Sequence, residues 1–114
     1  VPINAALFEW VIENLLKNAL DALQGQGSID VVVGEGDKEV YVEVSDTGKG
    51  IAKNNWTRIF EPGFTTKTRG WGLGLSLSRR IIEEYHGGRI AVVRSEAGRG
   101  TTIRVTLKRM EGDA

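Results

Sequence analysis

The sequence predicts a single α+β domain: an α/β sandwich with a mixed, mostly antiparallel sheet and helices packed on one face. Two runs free of glycine and proline have helical periodicity, and each precedes a pair of short alternating stretches joined by a polar turn. The 114 residues, 40% of them hydrophobic, suffice for one core and are too few for two. Because helices and sheets each need an apolar partner, this order favours two packed layers.

Composition excludes several classes of function. The 15 basic and 15 acidic residues balance, so we expect no contact with nucleic acid or with an anionic membrane. The absence of cysteine removes disulfides, thiolate catalysis and zinc-thiolate sites. The sequence has no stretch of about twenty apolar residues that could span a membrane. It also shows no leader in which a basic segment is followed by an apolar one and a cleavage site. These features predict a soluble, cytoplasmic domain.

The first helix is predicted from Ala5 to Leu23, with Asn4 as its N-cap and two glycines after its end. A helical wheel places five residues in one narrow sector: Leu7, Val11, Asn14, Asn18 and Ala22. Two carboxamides thus lie in line with the face that should be buried, where an unsatisfied polar group costs roughly 1–3 kcal/mol. Either both amides bond to neighbouring backbone, or they face a polar ligand or its metal.

The first hairpin is predicted over residues 28–34 and 39–46. In its second strand three valines alternate with other residues, and Asp46 continues the valine phase. We therefore expect this carboxylate on the core side of the sheet, where an unpaired charge is costly. It can cap the following turn by accepting the amide of Gly48 or its neighbours, or it can accept from a ligand, and the two roles are compatible.

Residues 55–59 have room for only a short helix, and residues 60–69 are interpreted as a mobile loop with hydroxyls and cations. A second helix is predicted over residues 73–85, and the glycines of residues 70–74 open it. The predicted buried stripe consists of Leu73, Leu77, Ile81 and Tyr85. Unpaired amides at such a helix start favour anions by about 0.3–1 kcal/mol each. His86, the only histidine, is interpreted as a residue of the helix end.

The second hairpin is predicted over residues 89–95 and 101–108, and Thr101 begins the inward-facing row of its last strand. Two inward polar residues, Asp46 and Thr101, thus come from the sheet, and Asn14 and Asn18 come from the first helix. The sequence predicts a polar pocket between the layers, with an acceptor for a base at one end and helix amides for phosphates at the other.

Four motifs in this order resemble those of the catalytic, ATP-binding domain of sensor histidine kinases. This domain belongs to the GHKL superfamily, which also holds gyrase-type topoisomerases, mismatch-repair ATPases and heat-shock chaperones. Residues 14–19 resemble its N box, 46–50 its first glycine box, 60–64 its F box and 70–74 its second glycine box, and Gly100 with Thr101 resembles its terminal threonine signature. The resemblance implies a Bergerat-type sandwich, ATP as the ligand and Mg²⁺ as the cofactor.

The resemblance also implies roles for single residues. Asp46 would accept from the adenine amino group with Thr101 in support, and Asn18 would coordinate Mg²⁺ beside Asn14. Catalysis is thereby assigned to Asn14, Asn18 and Lys67, and the metal to Asn18. The implied nucleotide-binding positions are Asp46, Gly48, Gly50, Ile51, Phe60, Phe64, Thr65, Thr66, Gly70, Gly72, Leu73, Gly74, Leu75 and Thr101.

One position within the N box separates the reactions of this superfamily. In its self-contained ATPases a glutamate four residues before the metal-binding asparagine is the general base. Asn14 stands there in this chain and cannot take a proton at neutral pH, while Glu13 lies about 100° around the helix. A neutral histidine already carries a lone pair, so phosphoryl transfer from ATP to histidine is favoured. A nucleotide-sensing module and a gyrase-type or chaperone-type hydrolase stay open as alternatives.

Two departures from the family pattern qualify this assignment. Many members carry a basic residue three positions after the metal-binding asparagine, where this chain has Asp21, so phosphate recognition would depend on Lys67, with Arg69 as a second candidate. The helical hairpin with the acceptor histidine is absent from the sequence. We expect residues 1–114 to be one ATP-binding domain of a longer kinase. Its partners would be its own dimerisation and phosphoacceptor domain and a downstream response regulator.

Overall fold

The computed structural model describes residues 5–23, 25–61 and 74–108. Helix α1 and strands β1 and β2 are followed by two 3₁₀ turns, by helix α2 with a π-helical turn at its end, and by strands β3 and β4. The bounds are α1 Ala5–Leu23, β1 Ile29–Glu35, β2 Glu39–Asp46, 3₁₀ turns Lys53–Asn55 and Arg58–Phe60, α2 Gly74–Arg80, π turn Ile81–Tyr85, β3 Arg89–Glu96 and β4 Gly100–Lys108. The predicted α+β class is confirmed.

The sheet has the strand order β1-β2-β4-β3, and every pairing among the described strands is antiparallel. In the register of β2 and β4, Val44 lies opposite Ile103 and Asp46 lies opposite Thr101. Because side chains alternate along a strand, this register puts the apolar rows of both strands on the same face. Asp46 and Thr101 are therefore neighbours at one end of that face, as the alternation predicted.

The core lies between this face and the helices. On α1 the buried side chains are Val11, Leu15 and Ala19, at four-residue spacing. The other members of the core are Val44, Ile59, Phe60, Ile81, Ile82, Ile90, Val92, Ile103, Val105 and Leu107. Each large aliphatic side chain buried here stabilises the fold by about 1.5–3 kcal/mol relative to an exposed one. None of the described helices is long and apolar enough to cross a membrane.

The second helix confirms the predicted buried stripe only in part: Ile81 is buried, and Leu73 and the Tyr85 side chain lie outside what the structure describes. Leu77 is 41% exposed, so its place in the predicted buried stripe was wrong, and Ser78 is fully buried instead. Which side of α2 is buried is set by its contacts with α1 and the sheet, and the spacing of its apolar residues alone does not determine those contacts. Ser78 tolerates burial because its hydroxyl donates to the Gly74 carbonyl at 2.8 Å. Ile81 and Ile82 continue the buried side.

His86 ends the second helix, as predicted, but it is also buried. It is 2% exposed, and Nδ1 lies 2.9 Å from the Ile81 carbonyl oxygen. Its ring also stands edge-on to Phe8 of α1, with ring centroids 6.4 Å apart. The histidine therefore joins the π turn to α1 within the core.

Candidate functional site

Asn14 and Asn18 lie one turn apart on α1, and both are half-buried at the edge of its buried stripe. Asn14 donates from Nδ2 to the Trp10 carbonyl at 3.1 Å, and Asn18 donates from Nδ2 to the Asn14 carbonyl at 2.9 Å. A carbonyl oxygen only accepts, so these bonds fix which end of each carboxamide is the nitrogen. The prediction that both carboxamides bond to neighbouring backbone is therefore confirmed for their nitrogen atoms. The prediction that they face a ligand or its metal concerns their oxygen atoms, and these bonds do not test it.

The first residue of α2 lies against the side chain of Asn14. A Cβ at Gly74 would come within 2.5 Å of Asn14 Oδ1, so a larger residue cannot be placed there without displacing one of the two. The first amides of a helix have no partner within the helix. Glycine at this position thus brings the amide end of α2 into contact with the carboxamide edge of α1.

Asp46 ends β2 and is half-buried, and its Oδ1 accepts the Gly48 N–H at 2.9 Å. Burial raises the pKa of the Asp46 carboxyl above its ordinary value of 3.8, and hydrogen bonds from the backbone of Gly48 and Thr101 partly oppose that rise. The carboxylate both caps the turn and lies on the helix side of the sheet. The predicted cap of the turn is confirmed, and acceptance from a ligand stays a prediction.

The glycine turn after Asp46 is clamped between α1 and the β3–β4 hairpin. The Lys49 N–H donates to the Ala22 carbonyl of α1 at 3.2 Å, and the Lys49 carbonyl accepts the Gly98 N–H at 2.9 Å. At Gly48 a Cβ would overlap the Ala22 carbonyl. Gly50 has a φ of 80° and packs directly on the Glu96 carbonyl. Glycine at both positions is needed for this close approach of backbones.

Thr101 is 6% exposed and pairs with Asp46 across the β2–β4 ladder. Its Oγ1 lies 2.8 Å from Ser95 Oγ, which also accepts the Ile51 N–H at 2.7 Å. The sequence interpretation missed Ser95 and treated it only as a strand residue. The register of a hairpin turning over residues 97–100 would have placed it opposite Thr101.

The remaining predicted positions divide into two groups. Phe60 is buried, and Ile51 and Leu75 pack against the core while half-buried, so all three join the site to the core. The other group lies outside the described residues. It comprises Phe64, Thr65, Thr66, Lys67, Gly70, Gly72 and Leu73.

Asn14, Asn18 and Ala22 follow one another at four-residue spacing, so they line the same side of α1. Asn14 touches Gly74 at the start of α2, and Ala22 touches Gly48 in the glycine turn. Asn18 therefore lies between the acidic end of the sheet and the amide end of α2. The four polar groups predicted from the sequence lie along one side of α1 and at the end of the β2–β4 pair beside it.

The donor set of this site fits Mg²⁺ that shares its coordination with phosphate. Within residues 5–23, 25–61 and 74–108, no group of three or more His, Cys, Asp or Glu side chains could hold a metal ion. Mg²⁺ prefers oxygen ligands, keeps several waters and is commonly bound through substrate phosphates. The amide oxygen of Asn18 suits such an ion, whereas a cage built from protein side chains alone is not present in the described part.

A separate cleft of about 240 Å³ lies at the other end of the β2–β4 ladder, where Glu39 pairs with Lys108. Its charged side chains include Glu39 and Arg89, which form an ion pair at 3.0 Å. The cleft contains none of the predicted site residues and does not coincide with the candidate site.

Residues 4–111 match the family model of "Histidine kinase-, DNA gyrase B-, and HSP90-like ATPase". Sensor histidine kinase ZraS of Escherichia coli (strain K12) is 43% identical over 97 residues, which are 85% of this chain and 20% of that protein. The catalytic domain of histidine kinase ThkA superposes with a TM-score of 0.84 at 34% identity, over 95% of this chain and 70% of that one. Full-length ShkA in complex with AMPPNP gives a TM-score of 0.78 at 28% identity, over 89% and 21%.

Proposed function

The chain belongs to the family of histidine kinase-, DNA gyrase B- and HSP90-like ATPases. Within that family we propose that it binds Mg-ATP and transfers the γ-phosphoryl group to a histidine on a separate acceptor domain. Two findings support the proposal: ZraS, a relative at 43% identity, is a sensor histidine kinase, and ShkA was solved with the ATP analogue AMPPNP. The family predicted from the sequence motifs is confirmed.

We assign the base of the nucleotide to the Asp46 end of the site. A carboxylate accepts hydrogen bonds only, which suits the 6-amino group of adenine. Thr101, directly opposite in the ladder, supports the same edge of the base through its hydroxyl, directly or through a water. The glycine turn beside them lets the nucleotide approach the backbone closely.

We assign the phosphates and the metal to the other end, between α1 and α2. Asn18 is the proposed Mg²⁺ ligand and Asn14 polarises the triphosphate region, while the amides at Gly74 face developing negative charge. When bound, Mg²⁺ supplies neutralisation of the phosphate charge. Lys67 and the Gly72 amide, which lie outside the described residues, keep their proposed roles in binding the β- and γ-phosphates.

The reaction that fits these groups needs no general base from this chain. An imidazole nitrogen of the acceptor attacks the γ-phosphorus with its lone pair, the bond to the bridging oxygen breaks, and ADP leaves. Hydrolysis would instead require a base to take a proton from water. Asn14 occupies the position of that base and touches Gly74, and Glu13 is exposed on another side of α1. This placement of Asn14 is the observation that carries the assignment to a kinase.

The test is reconstitution with a purified acceptor-histidine hairpin and ATP labelled at the γ-phosphate. We expect acid-labile, base-stable label on the hairpin and little hydrolysis by the chain alone. Asn18→Ala should abolish labelling, while Glu13→Gln, which removes a neighbouring exposed charge, should leave it within about twofold.

Two results would point to the other candidate functions. Sustained ATP hydrolysis by the isolated chain, lost in Asn18→Ala, would indicate a hydrolase of the gyrase or chaperone type. ATP binding without transfer to any acceptor hairpin would indicate a nucleotide-sensing module.

We further propose that residues 1–114 form one catalytic domain within a longer, two-component sensor kinase. This domain would act in the cytoplasm beside its own dimerisation and acceptor domain. The phosphoryl group would then pass from the acceptor histidine to a downstream response regulator. The supporting fact is that the chain spans only 20% of the length of its relative ZraS, which is named a sensor histidine kinase.

A further inference from the structure

Ser95 is the meeting point of three hydrogen-bond contacts at the base end of the site. Its Oγ accepts the Ile51 N–H at 2.7 Å, lies 3.1 Å from the Gly100 carbonyl oxygen and lies 2.8 Å from Thr101 Oγ1. The side chain is half-buried and stands opposite Thr101 in the β3–β4 ladder. One hydroxyl therefore connects the glycine turn, the hairpin turn and the threonine assigned to the base.

A hydroxyl has one hydrogen and two acceptor lone pairs, which limits how these three contacts can be made at once. The Gly100 carbonyl can only accept, so it takes the Ser95 hydrogen. One lone pair of Ser95 is taken by the Ile51 N–H, and the other remains for Thr101. Thr101 must then donate its own hydrogen to Ser95. This is the arrangement that satisfies all three contacts together.

The consequence concerns what Thr101 can offer a ligand. Once its hydrogen is committed to Ser95, its remaining capacity is that of an acceptor. Asp46, across the ladder, is an acceptor as well. The base end of the site thus presents two acceptors. Adenine carries an amino group with two donor hydrogens at position 6, whereas guanine carries an acceptor oxygen there.

Ser95 also holds the glycine turn itself. Ile51 is fixed through both of its backbone groups, because its N–H donates to Ser95 and its carbonyl accepts the Trp56 indole N–H at 3.0 Å. Just before it, the Gly50 backbone packs on the Glu96 carbonyl, next to Ser95 in the chain. The position of the turn and the polarity of Thr101 therefore depend on the same hydroxyl.

We propose that Ser95 is a positioning residue for nucleotide selection: its hydroxyl commits Thr101 to an acceptor role, so that Thr101 and Asp46 together select a 6-aminopurine over a 6-oxopurine. This inference rests on the proposed ATP-binding function. It goes beyond that function because it places base selectivity in a side chain that does not itself touch the base.

The test compares Mg-ATP, Mg-GTP and magnesium tripolyphosphate by titration calorimetry on the unaltered protein and on Ser95→Ala. We expect the ratio of ATP to GTP affinity to fall about tenfold, as for one lost hydrogen bond, with tripolyphosphate affinity unchanged within about twofold. Ser95→Thr keeps the hydroxyl and should restore the ratio. Ser45→Ala is the matched control, since it removes a hydroxyl bonded at 2.8 Å to Thr102 in the neighbouring row. It should leave the ratio unchanged.

A second comparison shows whether Ser95 acts through Thr101. In a Thr101→Val background, Ser95→Ala should cause no further loss of selectivity. A lower melting temperature with an unchanged ATP to GTP ratio would overturn the proposal, because it would show a purely structural role. If Ser95→Ala does not fold, Ser95→Cys, which keeps the size and weakens the hydrogen bonds, must lower the ratio or the proposal fails. An unaltered protein that binds no nucleotide would refute the proposed function as well, whereas a selective one with an insensitive Ser95 refutes only this inference.

Discussion

Replacing Asp46 with asparagine should separate recognition of the base from formation of the turn. The amide oxygen of asparagine can still accept the Gly48 N–H, which Asp46 Oδ1 accepts at 2.9 Å. The second oxygen is replaced by a donor group, which cannot accept from the amino group of adenine. The substitution therefore keeps the cap of the turn, while the Thr101 backbone N–H and the base both lose a charged acceptor.

The magnitude follows from the number of hydrogen bonds that change. A hydrogen bond to a charged group contributes about 1.5–3 kcal/mol, and about 1.4 kcal/mol corresponds to a tenfold change in affinity. We therefore expect Asp46→Asn to weaken ATP binding roughly 10- to 100-fold. Tripolyphosphate, which lacks a base, should lose less than about twofold.

Asp46→Asn should lower the affinity for ATP without lowering the thermal stability of the domain. The pKa of Asp46 is raised in the folded state, so its contribution to stability is present below its ordinary value of 3.8 and is lost as pH rises through the folded value. At neutral pH the folded state holds a desolvated charge that asparagine lacks. We expect Asp46→Asn to melt at the same temperature as the unaltered protein or higher at pH 7.

Calorimetric titrations at pH 7, together with thermal unfolding, test both expectations. Asp37→Asn is the matched control, because it makes the same change of charge at an exposed turn position. Equal losses of affinity for ATP and tripolyphosphate would show that Asp46 only shapes the turn. A large fall in melting temperature would contradict the assigned cause of the pKa rise.

Three further predictions concern the metal, the close contact of the helices and the core. Asn18→Ala should reduce the enhancement of ATP binding by Mg²⁺ in calorimetry, with little effect on binding measured in EDTA. Gly74→Ala should weaken Mg-ATP by up to about tenfold, because the Asn14 carboxamide would have to turn away from a new methyl group that meets its Oδ1 at 2.5 Å. Leu15→Ala, at a side chain that is 1% exposed, should cost about 2–5 kcal/mol in urea unfolding, whereas Leu20→Ala, at 60% exposure, should cost less than about 0.5–1 kcal/mol.

Each of these predictions has an outcome that contradicts it. If Mg²⁺ still enhances ATP binding to Asn18→Ala as strongly as before, the metal is bound by a residue other than Asn18. Gly36→Ala is the control for Gly74→Ala, because a Cβ at Gly36 meets no other atom. If both variants bind Mg-ATP with full affinity, the contact between Gly74 and Asn14 does not contribute to binding. Equal costs at positions 15 and 20 would mean that the buried stripe of α1 has been assigned to the wrong side.

Much of this fold follows from local patterns in the sequence. The bounds of α1 and β2 agree with the prediction because their signals are local: a run of helix formers that ends before two glycines, and a strict alternation of valines. The same alternation placed Asp46 and Thr101 on one face. The family was likewise predicted from four short motifs in order, because each motif needs its residues at fixed spacing.

Tertiary structure decided what depends on contacts between distant segments. The side of α2 that is buried depends on where that helix meets α1 and the sheet, and the wheel alone chose Leu77 where the fold buries Ser78. The raised pKa of Asp46 depends on burial by other elements. The contacts of Ser95 join β3 to a turn 44 residues earlier. Periodicity along the chain carries no information about such pairings, because they form only when the layers pack.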